Sequence, residues 1–364
     1  MTLLARAGLL FAGTITAILA TAAPALAHGA DAPNGTDYRV TVTAAGHPDL
    51  RVRVIEAGAR LELTNTGATP VEVIGYSGEP YLRIGPDGVY ENSRSPATYL
   101  NRTLVGDTAL PAEADPAAEP RWHRVDGGTT ARWHDQRALW REAEPPAQVR
   151  AAPDREHRVR DWVVPLRGAD GPAEIRGTLD WVPPPDAYTW WVVTVVGVLA
   201  VGALGVLPAA SGPGRRALAA LGGLLIVGGA AAVAVALGRT LDAGAQGPGG
   251  VLAGLLTGPV WTLLTGLAAI VVGTRAATGV AASSAPRSHV DFLVALAGVC
   301  LALFAGVTNI AGFSRAVLPT PWPPTVARTL VVLVMVAGAG ALAAALLRLH
   351  TAARRPSATT AVTR

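Results

Sequence analysis

Six consecutive residues near the middle of the chain concentrate the side chains best suited to chemistry. The segment from Arg132 to Arg137 reads Arg-Trp-His-Asp-Gln-Arg, so an aromatic ring, an imidazole, a carboxylate and two guanidinium groups lie close together. A neighbouring carboxylate can orient an imidazole, as catalytic and metal-bound imidazoles require. We predict that Trp133, Asp135 and Arg137 bind a ligand and that His134 binds a metal. Because no activated Ser or Cys motif accompanies the segment, the alternative is a buried Trp with an Arg–Asp pair that locks a turn.

A second polar segment runs from Gly75 to Asn101 and places Tyr, Arg and Asn on turns that contain Gly and Pro. Side chains of these types on turns can line a recognition surface. The predicted ligand-binding residues of this segment are Glu79, Tyr81, Arg83, Asn92 and Arg94. The alternative is a set of hairpins in which Tyr rings cover the edge of the core while Arg and Glu pair at the surface.

The first 27 residues are typical of a secretory signal peptide. Arg6 precedes an apolar stretch, and small residues end the segment at Ala25-Leu26-Ala27. Cleavage after Ala27 makes His28 the mature N-terminus.

This N-terminus motivates a copper hypothesis. An N-terminal histidine offers its α-amine and Nδ1 to one metal ion, and a second histidine completes a three-nitrogen site suited to copper. His134 is the preferred partner of His28, and the alternatives are His47, His123 and His157. The competing interpretation is that His28 lies on a flexible tail, because the next residues are rich in Gly and Ala.

Charge is divided unevenly along the chain. Residues 28–187 hold 18 Arg and 24 acidic residues, a balance of 18 − 24 = −6, whereas the remainder holds 12 Arg and two acids, a balance of +10. Nucleic-acid binding needs basic residues clustered on the soluble domain, and this domain is acidic, which argues against a nucleic-acid partner. Cys300 is the only cysteine, so the exported domain has neither a disulfide nor a thiolate metal site.

Five apolar segments are each long enough to cross the ~30 Å hydrocarbon core of a bilayer. They are residues 189–208, 217–238, 251–273, 290–313 and 329–347. Arginines concentrate in alternate loops and in the C-terminal tail, so the positive-inside rule places the tail in the cytoplasm and the N-terminal domain outside. We therefore predict a multi-pass plasma-membrane protein whose first partner is the lipid bilayer.

Ionisable side chains are almost absent inside these segments. This counts against ion-coupled transport, which needs polar groups near the midplane of the membrane. The third segment instead carries small residues at four-residue spacing, namely Gly250, Gly254, Gly258, Thr262 and Gly266. Small-residue faces permit close helix contact. The predicted contact lies either within the bundle or in a homo-oligomer that forms through this third helix.

The exported domain shows the period-two alternation of β-strands. Alternation covers residues 38–42, 50–54, 60–63 and 71–74, and residues 162–166 and 175–181 predict a hairpin. The fold class predicted is an all-β domain, an immunoglobulin-like β-sandwich, followed by an all-α bundle of five transmembrane helices. Pro183-Pro184-Pro185 is interpreted as a stiff spacer that lifts the domain from the bilayer. The domain boundaries are 1–27 (signal peptide), 28–187 (extracytoplasmic domain), 188–348 (bundle) and 349–364 (disordered cytoplasmic tail).

Several of these pieces together resemble a family of uncharacterised actinobacterial membrane proteins. The matching parts are residues 75–101, the Trp133-His134-Asp135 core, residues 161–165 and residues 177–183, followed by several membrane spans. Members often carry a second histidine where this chain has Gln136, which counts against an indispensable second imidazole ligand there. The resemblance implies a location and an architecture, and no activity.

Four functions remain open from the sequence. The first is a membrane-anchored binding or assembly module that recognises an envelope protein or a cell-wall component. The second is copper binding through His28. An enzyme that uses His134 and Asp135, and a component of a transporter, are the remaining two hypotheses.

Overall fold

The computed structural model describes residues 34–279 and 288–353. The predicted signal peptide, His28 and most of the predicted tail lie outside these residues. In the described residues the N-terminal part forms ten strands. They are β1 (Tyr38–Ala44), β2 (Leu50–Ile55), β3 (Arg60–Asn65), β4 (Val71–Ile74), β5 (Pro80–Gly85), β6 (Gly88–Asn92), β7 (Trp122–Asp126), β8 (Thr130–Trp133), β9 (His157–Gly168) and β10 (Gly171–Trp181).

The strands form two antiparallel sheets. The larger sheet has the order β1-β10-β9-β4-β5-β6-β7, and the smaller sheet has the order β2-β3-β8. The predicted hairpin is confirmed as β9 and β10, with Gly168 paired to Gly171 and Trp162 paired to Gly177. Two short helices, α1 (Ala97–Leu100) and α2 (Ala147–Ala151), lie in the connections. The all-β prediction is confirmed, although seven and three strands are a more unequal division than the four and three of an immunoglobulin constant domain.

One apolar core lies between the two sheets. Leu61 and Leu63 of the smaller sheet and Val73, Ile84 and Val164 of the larger sheet are each at most 1% exposed and belong to one cluster. Alternation of apolar and polar residues along β3 and β4 directs these side chains to one face. Burial of such side chains contributes about 1.5–3 kcal/mol each, which explains how a domain without cysteine is held together.

The C-terminal part is helical. Its helices are α3 (Ala187–Ala203), α4 (Gly212–Asp242), α5 (Gly247–Thr257), α6 (Val260–Gly279), α7 (Ser288–Leu301) and α8 (Pro324–Ala353). A 3-10 turn extends α3 to Val206, and α7 continues through a π-helical turn, Ala302–Gly306, and a 3-10 segment, Val307–Phe313. Five of the helical segments in the described residues are long and apolar enough to cross a membrane. The protein is a multi-pass membrane protein with an N-terminal β-domain.

The third span differs from its prediction. The predicted segment 251–273 divides into α5, which has 11 residues, and α6, because Pro259 between them lacks an amide hydrogen to continue the helix. The small residues from Gly250 to Gly266 therefore do not share one helical face. A Cβ on Gly254 would meet Thr240 of α4 at 2.6 Å.

Glycines bring the backbones of neighbouring helices into contact. A Cβ on Gly229 of α4 would lie 2.5 Å from the carbonyl oxygen of Gly266 on α6, and the reverse distance is 2.8 Å. Gly222 and Gly273 make an equivalent contact two helical turns away. Within the described chain, small residues are thus used for packing inside the bundle.

A buried ion pair joins three helices at the end of the bundle remote from the β-domain. Arg348 of α8 donates to Asp291 of α7 at 2.6 Å and to the carbonyl oxygen of Gly214 of α4 at 3.0 Å. The two charged side chains are 2% and 6% exposed. Arg348 therefore acts as an internal lock as well as contributing to the predicted positive-inside charge.

Candidate functional site

The segment from Trp133 to Arg137 forms a locked turn at the end of β8. Arg137 donates to both carboxylate oxygens of Asp135, each at 2.8 Å, and the indole Nε1 of Trp133 donates to Asp135 at 2.9 Å. The backbone amide of Arg137 also donates to Asp135 at 3.1 Å. Side-chain exposure is 0% for Asp135 and 21% for Arg137. The arrangement corresponds to the alternative interpretation, a buried Trp with an Arg–Asp pair.

Tyr76 extends this turn into a buried polar network. The guanidinium of Arg137 stacks 4.9 Å from the Tyr76 ring centroid, and the Tyr76 hydroxyl donates to Asn101 and accepts from the Gln136 amide. Burial raises the pKa of Tyr76, so the phenol stays neutral and can donate. Burial alone would lower the pKa of Arg137, but its hydrogen bonds to Asp135 outweigh this effect and raise it.

Glu79 and Asn92 shape the turns of the Gly75–Asn101 segment. Glu79 accepts from the Ser95 hydroxyl at 2.6 Å and from the Ser77 amide at 2.9 Å. Asn92 accepts from two backbone amides and donates to the carbonyl oxygen of Pro80 at 2.7 Å. Both side chains are buried. Their polar atoms bind the protein itself, as residues that position turns do.

The remaining predicted residues of this segment separate into buried and surface positions. Tyr81 is 2% exposed and belongs to the core. Arg94 donates to the carbonyl oxygen of Glu113 at 3.2 Å. Arg83 lies over two aromatic rings at the surface, 4.6 Å from the Tyr90 centroid and 5.1 Å from the Trp122 centroid. We call Arg83, Tyr90 and Trp122 the Arg83 platform.

The Arg83 platform borders an open sheet edge. Trp122 begins β7, which ends the strand order of the larger sheet and pairs with β6 alone in the described residues. After Trp122 every residue of β7 is exposed, and Val125 is 53% exposed. A strand edge of this kind presents unpaired backbone donors and acceptors.

His134 faces away from Asp135. Its Nδ1 lies 2.8 Å from the carbonyl oxygen of Ala59, and its Nε2 accepts from Arg60 Nε at 3.1 Å. Because an arginine side chain can only donate, Nε2 carries the lone pair and the proton lies on Nδ1. The expectation that Asp135 orients His134 is wrong, since Asp135 is used by Trp133 and Arg137.

These contacts bear on the predicted metal site. His134 is 1% exposed, so a metal at Nε2 would have to displace the Arg60 guanidinium. In residues 34–279 and 288–353, no group of three or more His, Cys, Asp and Glu side chains is placed to hold a metal ion. His28 lies outside the described residues, so its copper binding stays a prediction.

The β-domain is attached to the helical bundle at two places, which we call the junction. At the first, Asp37 accepts from Arg315 Nη1 at 2.6 Å and from the Ala316 amide at 2.9 Å, and Thr36 forms a backbone bridge with Val317. Asp37 is 5% exposed. These contacts hold the β-domain against the bundle, and the role predicted for the three prolines, to lift the domain from the bilayer, stays a prediction.

The second part of the junction joins a strained turn to the end of α4. Glu56 and Ala57 have φ angles of 55° and 54°, in the left-handed region that non-glycine residues rarely adopt. The Ala57 amide donates to Asp242 at 2.8 Å. Nearby, Arg132 donates to Glu62 at 2.8 Å and to the carbonyl oxygen of Gly244 at 3.0 Å.

Comparisons with protein-family models, with curated proteins and with solved structures each found no similar one. Arguments about function therefore depend on the geometry of this chain alone.

Neither the junction nor two of the three platform residues, Tyr90 and Trp122, were predicted from the sequence. Asp37 stands just before the first predicted strand and Asp242 just after the second predicted span, and these positions carried no signal for a contact between the two halves of the chain. Tyr90 could have been paired with Arg83 from the turn between β5 and β6, since cross-strand neighbours follow from turn length. Trp122 is 32 residues from Tyr90 and carried no such signal.

We expect Asp135→Asn to destabilise the β-domain by about 3 kcal/mol, the lower end for a buried ion pair, because it leaves the largely buried Arg137 guanidinium without its carboxylate. The free energy of unfolding measures this effect. The matched control is Asp161→Asn, which removes the partner of Arg158 in an exposed pair and should change stability little. Equal effects of the two substitutions would contradict the role assigned to Asp135.

Asp37→Ala should loosen the junction without unfolding the β-domain. The Ala316 amide would lose its acceptor, so its hydrogen exchange should accelerate by roughly tenfold or more. The control is Glu156→Ala, which removes the partner of Arg39 at the surface of the same domain. Unchanged exchange around Ala316 in the Asp37 variant would show that this contact does not hold the junction.

Proposed function

We propose that this protein is a membrane-anchored extracytoplasmic binding or assembly module of the cell envelope. The observation that carries the proposal is the Arg83 platform beside the open edge of β7. Arginine and aromatic side chains are enriched at the energetically dominant positions of protein interfaces. An open strand edge adds backbone groups with which an extended segment of a partner can pair.

Two features favour the platform over the other predicted residues as the recognition surface. Glu79, Asn92, Asp135 and Arg137 use their polar atoms to stabilise turns of this chain. Arg83, Tyr90 and Trp122 are only partly buried. A partner that covers the platform would exclude water from a cation–π stack, which strengthens it from about 0.5–1 to about 2 kcal/mol.

The junction supports a binding role. A domain on a loose tether loses rotational freedom when it meets a partner, whereas a domain held by Asp37 and Ala57 has already lost it. Such preorganisation favours binding because less entropy is lost in the complex. The junction would thus present the platform at a set orientation to the membrane, where an envelope protein or a cell-wall component is the partner class.

The proposed orientation places the β-domain outside and the C-terminus in the cytoplasm. In this topology the cytoplasmic end of the bundle carries four arginines, namely Arg215, Arg216, Arg275 and Arg348. Many large apolar side chains of the spans are exposed, including Val192, Val196 and Leu199 on α3. Lipid chains are the natural environment for such a surface.

The binding proposal can be tested in intact cells with a photoreactive amino acid at Val125 of β7. Cross-linked adducts between the protein and a partner should form at this position. They should be lost when Arg83→Ala and Trp122→Ala are combined, because the platform then lacks its cation–π stack. The matched control is the same probe at Val163, an exposed valine on β9 of the same sheet. Adducts of equal yield at both positions, or adducts that survive loss of the platform, would reject this surface.

The orientation is tested with single cysteines in a Cys300→Ser background. A membrane-impermeant maleimide added to intact cells should label Ala109→Cys in the β-domain and leave Ala361→Cys near the C-terminus unlabelled. Labelling of the tail cysteine without lysis, together with protection of the domain cysteine, would reverse the proposed topology.

A further inference from the structure

A small cavity lies at the end of the bundle that faces the β-domain. Its volume is about 20 Å³, enough for one small ion or one water molecule. The walls come from α4, the 3-10 segment, the loop before α8, and α8 itself. The polar side chains in the walls are Asn34, Arg239, Asn309, Thr320 and Trp322.

Arg239 brings a positive charge to this cavity. Its guanidinium donates to the amide oxygens of Asn309 and Asn34, both at 3.1 Å. Asp242 and Glu56 act on Arg239 electrostatically, but in the described residues Arg239 takes part in no ion pair shorter than 4.0 Å. An arginine that contacts only neutral oxygens retains attraction for an anion.

Two further donors in the cavity wall have no hydrogen-bond partner among the residues that the structure describes. Trp322 Nε1 and Thr320 Oγ1 are buried and make no hydrogen bond in the structure. An indole nitrogen can only donate, so Trp322 needs an acceptor that the described residues do not supply. Buried donors without partners are rare in folded proteins and call for an explanation such as a bound ion or water.

The backbone around the cavity is built to hold these groups in place. Asn309 lies in the 3-10 segment that follows a π-helical turn, so the regular helix stops where the cavity begins. Irregular backbone at membrane depth is tolerated where it lines a cavity, and π-helical turns are frequent at functional sites. Trp322 rests on Gly238 of α4, where a Cβ would lie 2.6 Å from Nε1.

We propose that this cavity binds one small inorganic anion of the size of chloride. Arg239 supplies the charge, and Trp322 Nε1–H and Thr320 Oγ1–H donate hydrogen bonds to the ion. A water molecule could accept one of these hydrogen bonds, but it carries no charge to complement that of Arg239, on which Asp242 and Glu56 act only from beyond ion-pair distance. The volume excludes a bulky headgroup from the interior of the cavity.

The test uses the full-length protein in detergent micelles. The midpoint of thermal unfolding should be higher in chloride than in gluconate at the same ionic strength, because a ligand that binds only the folded state stabilises it. The line width of the chloride NMR signal should increase with protein concentration, which reports bound ion directly. Identical midpoints in chloride and gluconate, with no broadening, would overturn the proposal and leave water as the occupant.

Three variants locate the ion. Trp322→Phe keeps the ring and removes the donor, so the chloride affinity should fall by roughly tenfold, as loss of a hydrogen bond to a charged group predicts. Arg239→Gln should abolish the broadening. Trp190→Phe removes an indole donor from α3 outside the cavity and should change nothing. Broadening that persists in the Trp322 and Arg239 variants would place the ion elsewhere and reject this site.

A lipid headgroup is the competing anion. Nanodiscs with phosphatidylglycerol or with phosphatidylcholine alone distinguish the two sources. Chloride broadening that is equal in both lipids supports the inorganic ion. Loss of the broadening in phosphatidylglycerol alone would assign the cavity to a lipid phosphate and contradict the proposed occupant.

Discussion

The carboxylate of Asp37 is the contact on which the arrangement of the two halves depends. It receives one hydrogen bond from the side chain of Arg315 and one from the backbone of Ala316, and it is almost fully buried. A buried carboxylate is stable only when its oxygens are bound in this way. Because Asp37 immediately precedes β1, the edge strand of the larger sheet, the contact ties that sheet to the bundle. The sheet carries the Arg83 platform at its opposite edge.

Polar residues in the β-domain divide into two functions according to burial. Asp135, Arg137, Tyr76 and Asn101 form a buried network that holds the turn after β8 in one conformation. A network of this kind contributes to stability only when its members are paired, so it leaves little freedom for a ligand. Recognition is then assigned to the surface, where Arg83 retains contact with solvent. The same amino-acid types therefore serve the scaffold in one place and the proposed interface in another.

The bundle is divided into a closely packed part and a part that contains a cavity. Glycine pairs such as Gly229 and Gly266 let the helix backbones touch and leave no space between them. Close packing stops near Asn309, where the helix becomes irregular and the cavity opens. Arg239 lies between this cavity and the strained turn at Glu56 and Ala57. The proposed anion site thus adjoins the junction.

The sequence alone determined the elements whose signal is local. Hydrophobic length predicted the five spans, and period-two alternation predicted β1 to β4 and the hairpin of β9 and β10, because each pattern is set by neighbouring residues. The third span is the exception. Pro259 divides the predicted apolar segment into two helices, because it lacks the amide hydrogen that would continue the first one.

Only the tertiary structure decided what the chemical groups contact. His134 and Asp135 are adjacent in sequence, yet one faces Arg60 and the other Arg137. Asp37 meets Arg315 across 278 residues, and composition carries no record of such a pairing. The physical reason is that hydrogen bonds and ion pairs act over about 3 Å, whereas sequence patterns report only the side of an element on which a residue lies.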